Sequence, residues 1–362
     1  MKILYDGFIY SIQAAGGINR YFSEIINRLP ETCIPTVTAS RINPVDRPIH
    51  PNLALIKYRS FRPGQISFRV EKLFFRAFSA RNYDVIHPTY YYLLSRQEFK
   101  DLRSPVVVTV WDMIHEIFHK EMDPLGECAA MKRKAIMAAQ AIICISHNTK
   151  KDLLERYPQI EDRISVVHLA PGINANHSPS GPIPSRPYYL YVGSREAAYK
   201  NFNGLLSALA KVIDSNPDVM LCVVGPPFDK REEKLINDLR LEDNIEHYKY
   251  AGNDHLAKLY RGSIALVYPS FYEGFGIPPL EAMACGTTVI ASNCSSIPEV
   301  VGDAAQLIDP SSQEEMIEAL LCLLNNPSER DRLIAKGKER VKAFSWDSAT
   351  EQTIAVYDAA RS

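Results

Sequence analysis

Two glutamates in the second half of the chain, separated by seven residues, have the spacing and the surroundings of a ligand site. Glu273 stands between Tyr272 and Gly274, and Glu281 follows a pair of prolines. Carboxylates accept hydrogen bonds from hydroxyl groups, so two of them suit a ligand with two hydroxyl-rich parts, such as a sugar ring and a ribose. The alternative is a solvated pair around a structural turn, and the surrounding sequence argues against it.

The residues around this pair predict a strand, a glycine loop and a helix. The apolar run 264–268 has strand length, Gly274 and Gly276 follow it, and residues 280–284 are good helix formers that begin after a proline. Glycines let backbone N–H groups approach an anion closely, and a helix N-terminus adds a positive dipole end. The loop is therefore a candidate site for phosphate groups.

Several motifs of this region together resemble a known family signature. They are Tyr268-Pro269-Ser270, Glu273-Gly274-Phe275-Gly276, Glu281-Ala282-Met283-Ala284-Cys285-Gly286, Pro298-Glu299-Val300 and Gly302-Asp303-Ala304-Ala305. The set resembles glycosyltransferase family 4, a retaining family with the GT-B fold, and the resemblance is clearest from about residue 185 onward. It implies that Glu273 contacts the transferred sugar and that Glu281 binds the ribose. It also implies that the backbone of Phe275, Gly276 and Ile277 meets the sugar and the phosphates.

A basic site follows the predicted strand 188–192, where Arg195 and Lys200 come after Gly193. Fixed cations stabilise the charge that grows on a departing nucleoside diphosphate, and the resemblance implies this role for both side chains. The family often has a further Arg directly before the Lys, whereas Tyr199 stands here. The alternative interpretation is two surface cations near the start of a helix.

Two candidate sites lie in the first half. Gly16 and Gly17 precede an amphipathic helix, and the resemblance implies that they approach the donor phosphates, although a plain tight turn fits equally. Asp112 follows a predicted strand and is our candidate for orienting the acceptor. Many relatives have a His directly before this Asp, but Trp111 stands here. His115 is either a second group of the same site or a structural hydrogen-bonding residue.

Apolar runs of strand length alternate with amphipathic stretches, which is typical of βαβ units with parallel sheets. The strands predicted in the first half are 2–5, 85–87, 106–110, 141–145 and 165–168. Those predicted in the second half are 188–192, 219–224, 245–248, 264–268, 288–291 and 305–307. A stretch rich in Pro, Ser, Asn and Gly at 171–187 indicates a linker.

These elements predict an α/β fold with two Rossmann-like domains, at residues 1–180 and 181–344. The resemblance implies the GT-B arrangement, in which two parallel sheets face each other across a cleft. It also implies that a C-terminal helix at 345–362 crosses back to the first domain, where Trp346 would anchor it.

Composition excludes several classes of protein. With 362 residues and 46% hydrophobic content the chain can form two buried cores, and a net charge of −1 argues against a nucleic-acid partner. The seven Cys include no C-x-x-C pair and are odd in number, which fits a reducing cytosol rather than a disulfide or zinc scaffold. Neither the G-x-G-x-x-G spacing of NAD-binding proteins nor a D-x-D triplet occurs. We therefore expect no cofactor, no metal and no membrane-spanning segment.

Residues 57–81 are basic and aromatic, with Glu71 as the only acidic residue. The cations include Arg59, Arg62, Arg69, Lys72, Arg76 and Arg81, and the aromatics are Tyr58, Phe61, Phe68, Phe74, Phe75 and Phe78. One interpretation is a helix that rests on the anionic inner face of a membrane and receives a lipid-linked acceptor. The other is a helix that packs its aromatics inward beneath a solvated basic face.

The sequence thus predicts a cytoplasmic, metal-independent, retaining glycosyltransferase. It would move a hexose from a UDP- or GDP-sugar, such as UDP-glucose, to a glycan or lipid-linked saccharide in polysaccharide biosynthesis. Two alternatives remain, a sugar-nucleotide 2-epimerase on the same fold and a non-catalytic subunit that binds sugar nucleotides.

Overall fold

The computed structural model of the chain describes residues 1–13, 16–40, 47–173, 176, 178 and 180–362. Contacts between Cα atoms divide this part of the chain into two compact units. Unit 1 comprises Met1–Leu169 and Ser345–Ser362, and unit 2 comprises Ala170–Phe344. Part of the linker predicted at 171–187 falls outside the described residues.

Unit 1 is built on parallel strands whose side chains are mostly buried on both faces, which explains their continuous apolar sequences. The strands are β1 (Lys2–Asp6), β2 (Ile34–Ala39), β3 (Ala54–Lys57), β4 (Val85–Ile86), β5 (Val107–Val110), β6 (Ala141–Cys144) and β7 (Ile164–Val166). They pair in the orders β3-β2-β1-β4 and β5-β6-β7, and a bridge between Ile86 and Val106 connects the two groups.

The helices of unit 1 surround this sheet. They are α1 (Ile9–Ile12), α2 (Gly17–Asn27), α3 (Gly64–Ser79), α4 (Ile114–Ile117), α5 (His119–Met122), α6 (Glu127–Ala138), α7 (His147–Arg156) and α15 (Trp346–Arg361). The C-terminal α15 packs against α2, where Trp346 meets Tyr21 with ring centroids 6.2 Å apart. Tyr357 of α15 hydrogen-bonds both the hydroxyl of Tyr5 and the ring of His87. The last helix is therefore part of the core of unit 1.

Unit 2 contains one parallel sheet. Its strands are β8 (Tyr188–Val192), β9 (Met220–Val224), β10 (Ile245–Tyr248), β11 (Leu266–Tyr268), β12 (Val289–Ser292) and β13 (Gln306–Ile308). They pair in the order β10-β9-β8-β11-β12-β13. Counted from the first strand of the unit, this is the 3-2-1-4-5-6 order of a doubly wound Rossmann sheet.

The helices of unit 2 connect successive strands or follow the last strand, and they close its core. They are α8 (Phe202–Ile213), α9 (Lys230–Asp238), α10 (Asn253–Gly262), α11 (Ile277–Ala284), α12 (Ile297–Val301), α13 (Gln313–Asn325) and α14 (Pro327–Val341). Leu205 and Leu209 of α8 are fully buried with Leu320 of α13 in one apolar cluster. No helix in the described ranges combines the length and the apolar composition needed to span a membrane.

The predicted α/β fold with two Rossmann-like sheets is confirmed, and every predicted strand is present with small shifts of its ends. Two strands of unit 1 were not predicted. β2 contains Pro35, and proline is rare inside a sheet because it lacks an N–H donor. β3 is a short strand at the sheet edge, and its residues are only partly buried or exposed.

Candidate active site

The strand order of unit 2 reverses between β8 and β11, which are neighbours in the sheet. The chain leaves β8 towards β9 on one side and leaves β11 towards β12 on the other. In doubly wound folds the crevice at the carboxyl ends of two such strands is where ligands bind. Arg195 and Lys200 follow β8, and Glu273 follows β11, so the sheet brings the two predicted donor motifs to this point.

Lys200 and Glu273 contact each other directly. The Nζ atom of Lys200 lies 2.8 Å from Oε1 and 3.0 Å from Oε2 of Glu273. The two side chains are 20% and 11% exposed, so the pair is accessible at the surface of the crevice without being fully solvated. A backbone hydrogen bond of 2.7 Å from Phe271 N–H to the carbonyl of Tyr199 ties the same two loops together. The cation and the carboxylate are therefore held in one place by the sheet.

Two serines after β12 fix the loop that carries Glu273. The hydroxyl of Ser295 donates to the carbonyl of Glu273 at 2.5 Å and accepts from its N–H at 2.9 Å. The hydroxyl of Ser296 lies 2.8 Å from the carbonyl of Glu273 and 2.6 Å from that of Phe275. The backbone of the glycine loop is thus oriented by side chains of the next βα connection.

Buried tyrosines surround the Lys200–Glu273 pair. Burial, the charge of Glu273 and a hydrogen bond to it hold the pKa of Tyr268 well above its usual range. Burial and the charge of Glu273 likewise raise the pKa of Tyr191, which the nearby Arg195 opposes. Both phenols therefore stay protonated near the Glu273 carboxylate.

The predicted helix at 280–284 begins earlier, as α11 at Ile277, with Gly276 at its N-cap. Gly276 has φ +127°, a conformation that L side chains rarely adopt, and an added Cβ would lie 3.0 Å from Cδ1 of Ile297. Phe275 is buried and packs edge-on against Phe344. Glu281, in the second turn, is 4% exposed and accepts from the hydroxyl of Tyr260 at 3.3 Å.

The side chain of Arg195 contacts other residues than Lys200 and Glu273. Its side chain is 2% exposed, its Nε donates to Glu232 at 2.8 Å, and one Nη donates to the carbonyl of Pro226 at 2.6 Å. The guanidinium also packs over the rings of Phe202 and Phe228. Its Nη1 is buried and has no hydrogen-bond partner among the described residues. The structure thus places Arg195 in a buried ion pair with Glu232.

In unit 1, Asp112 follows β5 and belongs to a polar cluster. The side chain of Lys132 is 1% exposed, and its Nζ lies 2.9 Å from the Asp112 carbonyl, 2.9 Å from Glu116 Oε2 and 3.6 Å from Asp112 Oδ1. Asp112 Oδ1 also accepts from the N–H of Ile114, and its side chain is 26% exposed. The Asp112 carboxylate therefore keeps an accessible face while its backbone is fixed by a buried cation.

The residues next to Asp112 are mostly enclosed. Trp111 is 7% exposed and packs edge-on against Tyr21, with centroids 5.0 Å apart. Among the described residues, neither Trp111 Nε1 nor His115 Nδ1 has a hydrogen-bond partner.

The predicted glycine pair lies at the start of α2. Gly17 is the first residue of this helix, and Gly16 precedes it with an extended backbone. A Cβ added at Gly16 would lie 2.6 Å from Nε2 of Gln13, which hydrogen-bonds Asn19.

Several residues that shape these sites were not predicted from the sequence: Lys132, Glu232, Ser295 and Ser296. Glu232 had a detectable signal, because Asp229 and Glu232 form a capping box at the start of α9. The two serines follow a strand without any motif of their own. Lys132 belongs to a Lys-Arg-Lys run, a pattern that predicts solvent-exposed side chains, but its own side chain is buried.

Two family models match the chain in succession. The model described as Glycosyltransferase Family 4 matches residues 15–175, and the model described as Glycosyl transferases group 1 matches residues 173–340. The second match contains the loops that carry Lys200, Glu273 and Glu281.

Relatives and solved structures agree with these matches. The O-antigen chain mannosyltransferase B of Escherichia coli is 31% identical over 239 residues, which is 62% of this chain and 62% of the relative. The MMP alpha-(1->4)-mannosyltransferase of Mycolicibacterium hassiacum is 30% identical over 235 residues, 64% of this chain and 56% of the relative. This chain therefore spans less than two thirds of the length of either protein.

The structure of sucrose-phosphate synthase from Thermosynechococcus elongatus superimposes with a TM-score of 0.79 at 22% identity, over 99% of this chain and 98% of that one. At this identity the similarity shows the fold alone. Together, the consecutive family matches, the parallel sheets of both units and this superposition show that the chain belongs to glycosyltransferase family 4, with the GT-B fold.

Proposed function

We propose that this protein transfers a hexosyl group from a nucleoside-diphosphate sugar to a saccharide acceptor with retention of the anomeric configuration. The observation that carries the proposal is the Lys200–Glu273 pair at the switch point of unit 2. A cation and a carboxylate held side by side offer a donor for the diphosphate and an acceptor for the sugar hydroxyls.

The elements around the pair supply the remaining contacts of such a donor. The backbone at Gly274, Phe275, Gly276 and Ile277 leads into the N-terminus of α11, where a helix dipole favours phosphate oxygens. Glu281, on the same helix, would accept from the ribose hydroxyls. Arg195, which is buried in its ion pair with Glu232, would assist the diphosphate through its positive charge rather than by direct contact.

The reaction would proceed on one face of the sugar. The bond between the anomeric carbon and the diphosphate oxygen breaks, and Lys200 stabilises the negative charge that grows on this oxygen. The acceptor hydroxyl then forms its bond to the same face of the anomeric carbon, and its proton passes to the departing diphosphate. Because the acceptor attacks the face from which the diphosphate leaves, no covalent intermediate with the enzyme is required. Glu273 holds the sugar hydroxyls during this exchange.

We further propose that Asp112 of unit 1 orients the attacking hydroxyl and that Gly17 contributes to donor binding, the roles that the family resemblance implies. The names of the two relatives, both mannosyltransferases and one acting on an O-antigen chain, favour a hexose as the transferred group and a glycan or lipid-linked saccharide as the acceptor. The O-antigen chain in the first name also supports our proposal that the activity belongs to polysaccharide biosynthesis. UDP- and GDP-sugars are the donor classes to test.

The test begins with nucleotide recognition. A thermal-shift series with UDP, GDP, ADP and their hexose conjugates should show stabilisation by one base, and stabilisation by none would contradict the proposal. The preferred donor is then incubated with saccharide acceptors, and the anomeric configuration of the product is read by NMR. Activity should persist in EDTA, whereas loss that a divalent metal reverses would contradict the metal-independent reaction. An inverted product would contradict retention, and nucleotide binding without transfer would favour a binding subunit.

A further inference from the structure

Helix α3 of unit 1 exposes an apolar stripe to solvent. Ile66 is 52% exposed, Val70 41% and Leu73 64%, and Ala77 continues the same line. These positions recur every three or four residues, so they lie on one face of the helix. Phe61, just before the helix, adds another side chain with 45% exposure. A soluble helix normally turns such a stripe towards the core.

The opposite face of α3 already forms the contacts with the core. Ser67, Glu71, Phe75 and Ser79 are buried, and Phe75 joins Tyr58 and Leu94 in an apolar cluster. The inward packing of aromatics that the sequence left open therefore occurs. It does not account for the outward aliphatic stripe, which is a separate feature of the same helix.

Basic side chains border the stripe on one side. Arg69 and Arg76 are exposed and one helical heptad apart, and Lys72 lies between them over the ring of Phe68. Arg96 packs on the same ring, with its guanidinium carbon 4.2 Å from the centroid. The only acidic residue of the segment, Glu71, is 7% exposed and hydrogen-bonded to Ser40. The outer face of α3 thus combines apolar and positive groups.

We propose that this outer face, formed by Ile66, Arg69, Val70, Leu73 and Arg76, docks the protein on an anionic lipid leaflet. An amphipathic helix in the plane of a membrane inserts its apolar face at the headgroup boundary while flanking cations attract anionic lipids. The charge pattern selects this occupant over a second copy of the chain, because two such faces in contact would bring their cations together. The inference goes beyond the proposed transfer reaction and does not depend on it.

The test uses the full chain and sedimentation with vesicles of phosphatidylcholine alone or with phosphatidylglycerol. Binding to the anionic vesicles is expected at low salt and should fall in 0.5 M NaCl, because about 0.1 M salt already screens charges beyond roughly 10 Å. Binding to neutral vesicles should be weak. Equal binding to both compositions, or no binding to either, would overturn the proposal.

Three variants separate the parts of the surface. Because one cation near the surface contributes about 1 kcal/mol, or roughly fivefold, Arg69→Glu with Arg76→Glu should weaken binding by at least about twentyfold. Changing the same arginines to Lys should preserve it. Ile66→Ser, Val70→Ser and Leu73→Ser together should also release the protein, and retention by this variant would overturn the role of the stripe.

A matched control carries the same charge change elsewhere on unit 1. Lys151→Glu with Arg156→Glu, at exposed positions of α7 beside β6 and β7, should leave vesicle binding within about twofold, since attraction falls off within a Debye length. If this control releases the protein as strongly as the α3 variant, net charge rather than α3 would explain binding. Circular dichroism checks that each variant is folded. The nucleotide thermal shift, read on the same samples, separates failure of docking from failure of the donor site.

Discussion

The ammonium group of Lys200 bridges both carboxylate oxygens of Glu273, at 2.8 Å and 3.0 Å, across the point where the strand order of unit 2 reverses. The two residues belong to loops after adjacent strands, and a backbone hydrogen bond between Phe271 and Tyr199 keeps these loops together. The proposed donor would therefore meet a cation and a carboxylate that are already positioned. Preorganised charges of this kind stabilise a transition state without a cost of rearrangement at the moment of reaction.

Replacement of Lys200 by Ala should lower turnover by at least about a hundredfold, the scale of losing one donor to a developing charge. The physical reason is that the departing diphosphate would lose its nearest cation. The measurement is steady-state transfer with the preferred sugar nucleotide. Lys211→Ala, at an exposed position of α8 in the same unit, is the control and should keep full turnover. Unchanged turnover of the Lys200 variant would remove the proposed role.

Removal of Glu232 should destabilise unit 2 because it leaves the buried guanidinium of Arg195 without its carboxylate. Breaking a buried pair from one side costs about 3–5 kcal/mol, so Glu232→Ala should shift the urea unfolding transition strongly. Glu232→Gln retains an acceptor and should cost less. Glu233→Ala, at the next and exposed position of α9, is the matched control. Equal effects of the two alanine variants would show that the ion pair contributes little to stability.

The sequence predicted the sheets better than the contacts between loops. Buried parallel strands appear as apolar runs, and the runs were found everywhere except where Pro35 interrupts β2 and where β3 lies at an edge. Lys200 and Glu273 were each assigned to the donor from local motifs. Their mutual contact, between residues 73 positions apart, follows from strand order, which one-dimensional spacing does not contain.

The sequence also does not reveal which side chains of the site pair with one another. Arg195 carried a signal as a cation after a glycine, but its pairing with Glu232 depends on how α9 packs beside β8. For Lys132 the local pattern is misleading. Its position in a basic run predicts an exposed side chain, whereas the structure buries that side chain beneath Asp112. Local sequence identifies charged groups, and tertiary packing decides which charge each one faces.

Glu281 and Glu273 should differ in what they bind. Glu281→Ala should weaken binding of the free nucleotide by about tenfold or more, the scale of one hydrogen bond to a charged group. Glu273→Ala should leave free-nucleotide affinity largely intact and reduce use of the sugar. Isothermal titration with nucleotide and with sugar nucleotide separates the two.

Tyr260→Phe removes the hydroxyl that donates to Glu281 at 3.3 Å, so it should cause a smaller loss in the same direction as Glu281→Ala. This variant tests whether the carboxylate must be oriented to bind ribose. Equal loss of free-nucleotide affinity in the Glu273 and Glu281 variants would contradict the division of roles.

His87 should make the stability of unit 1 depend on pH. It is fully buried between Tyr357 of α15, at 2.7 Å, and Thr109 of the sheet, at 2.9 Å. Burial lowers its pKa from 6.5 to about 3, so the folded state favours the neutral ring. The stabilisation is therefore complete above about pH 6.5 and is lost as the pH falls towards 3.

Between pH 7 and pH 5, His87 should lose about 2 kcal/mol of stabilisation, since each pH unit below the unfolded pKa costs about 1.4 kcal/mol. His87→Gln lacks this titration, so the stability gap between wild type and variant, measured by urea unfolding, should shrink by that amount at pH 5. His119→Gln, at an exposed position of α5, should follow the wild type at both pH values. A gap for His87→Gln that stays constant from pH 7 to pH 5 would show that protonation of this ring does not oppose the attachment of α15.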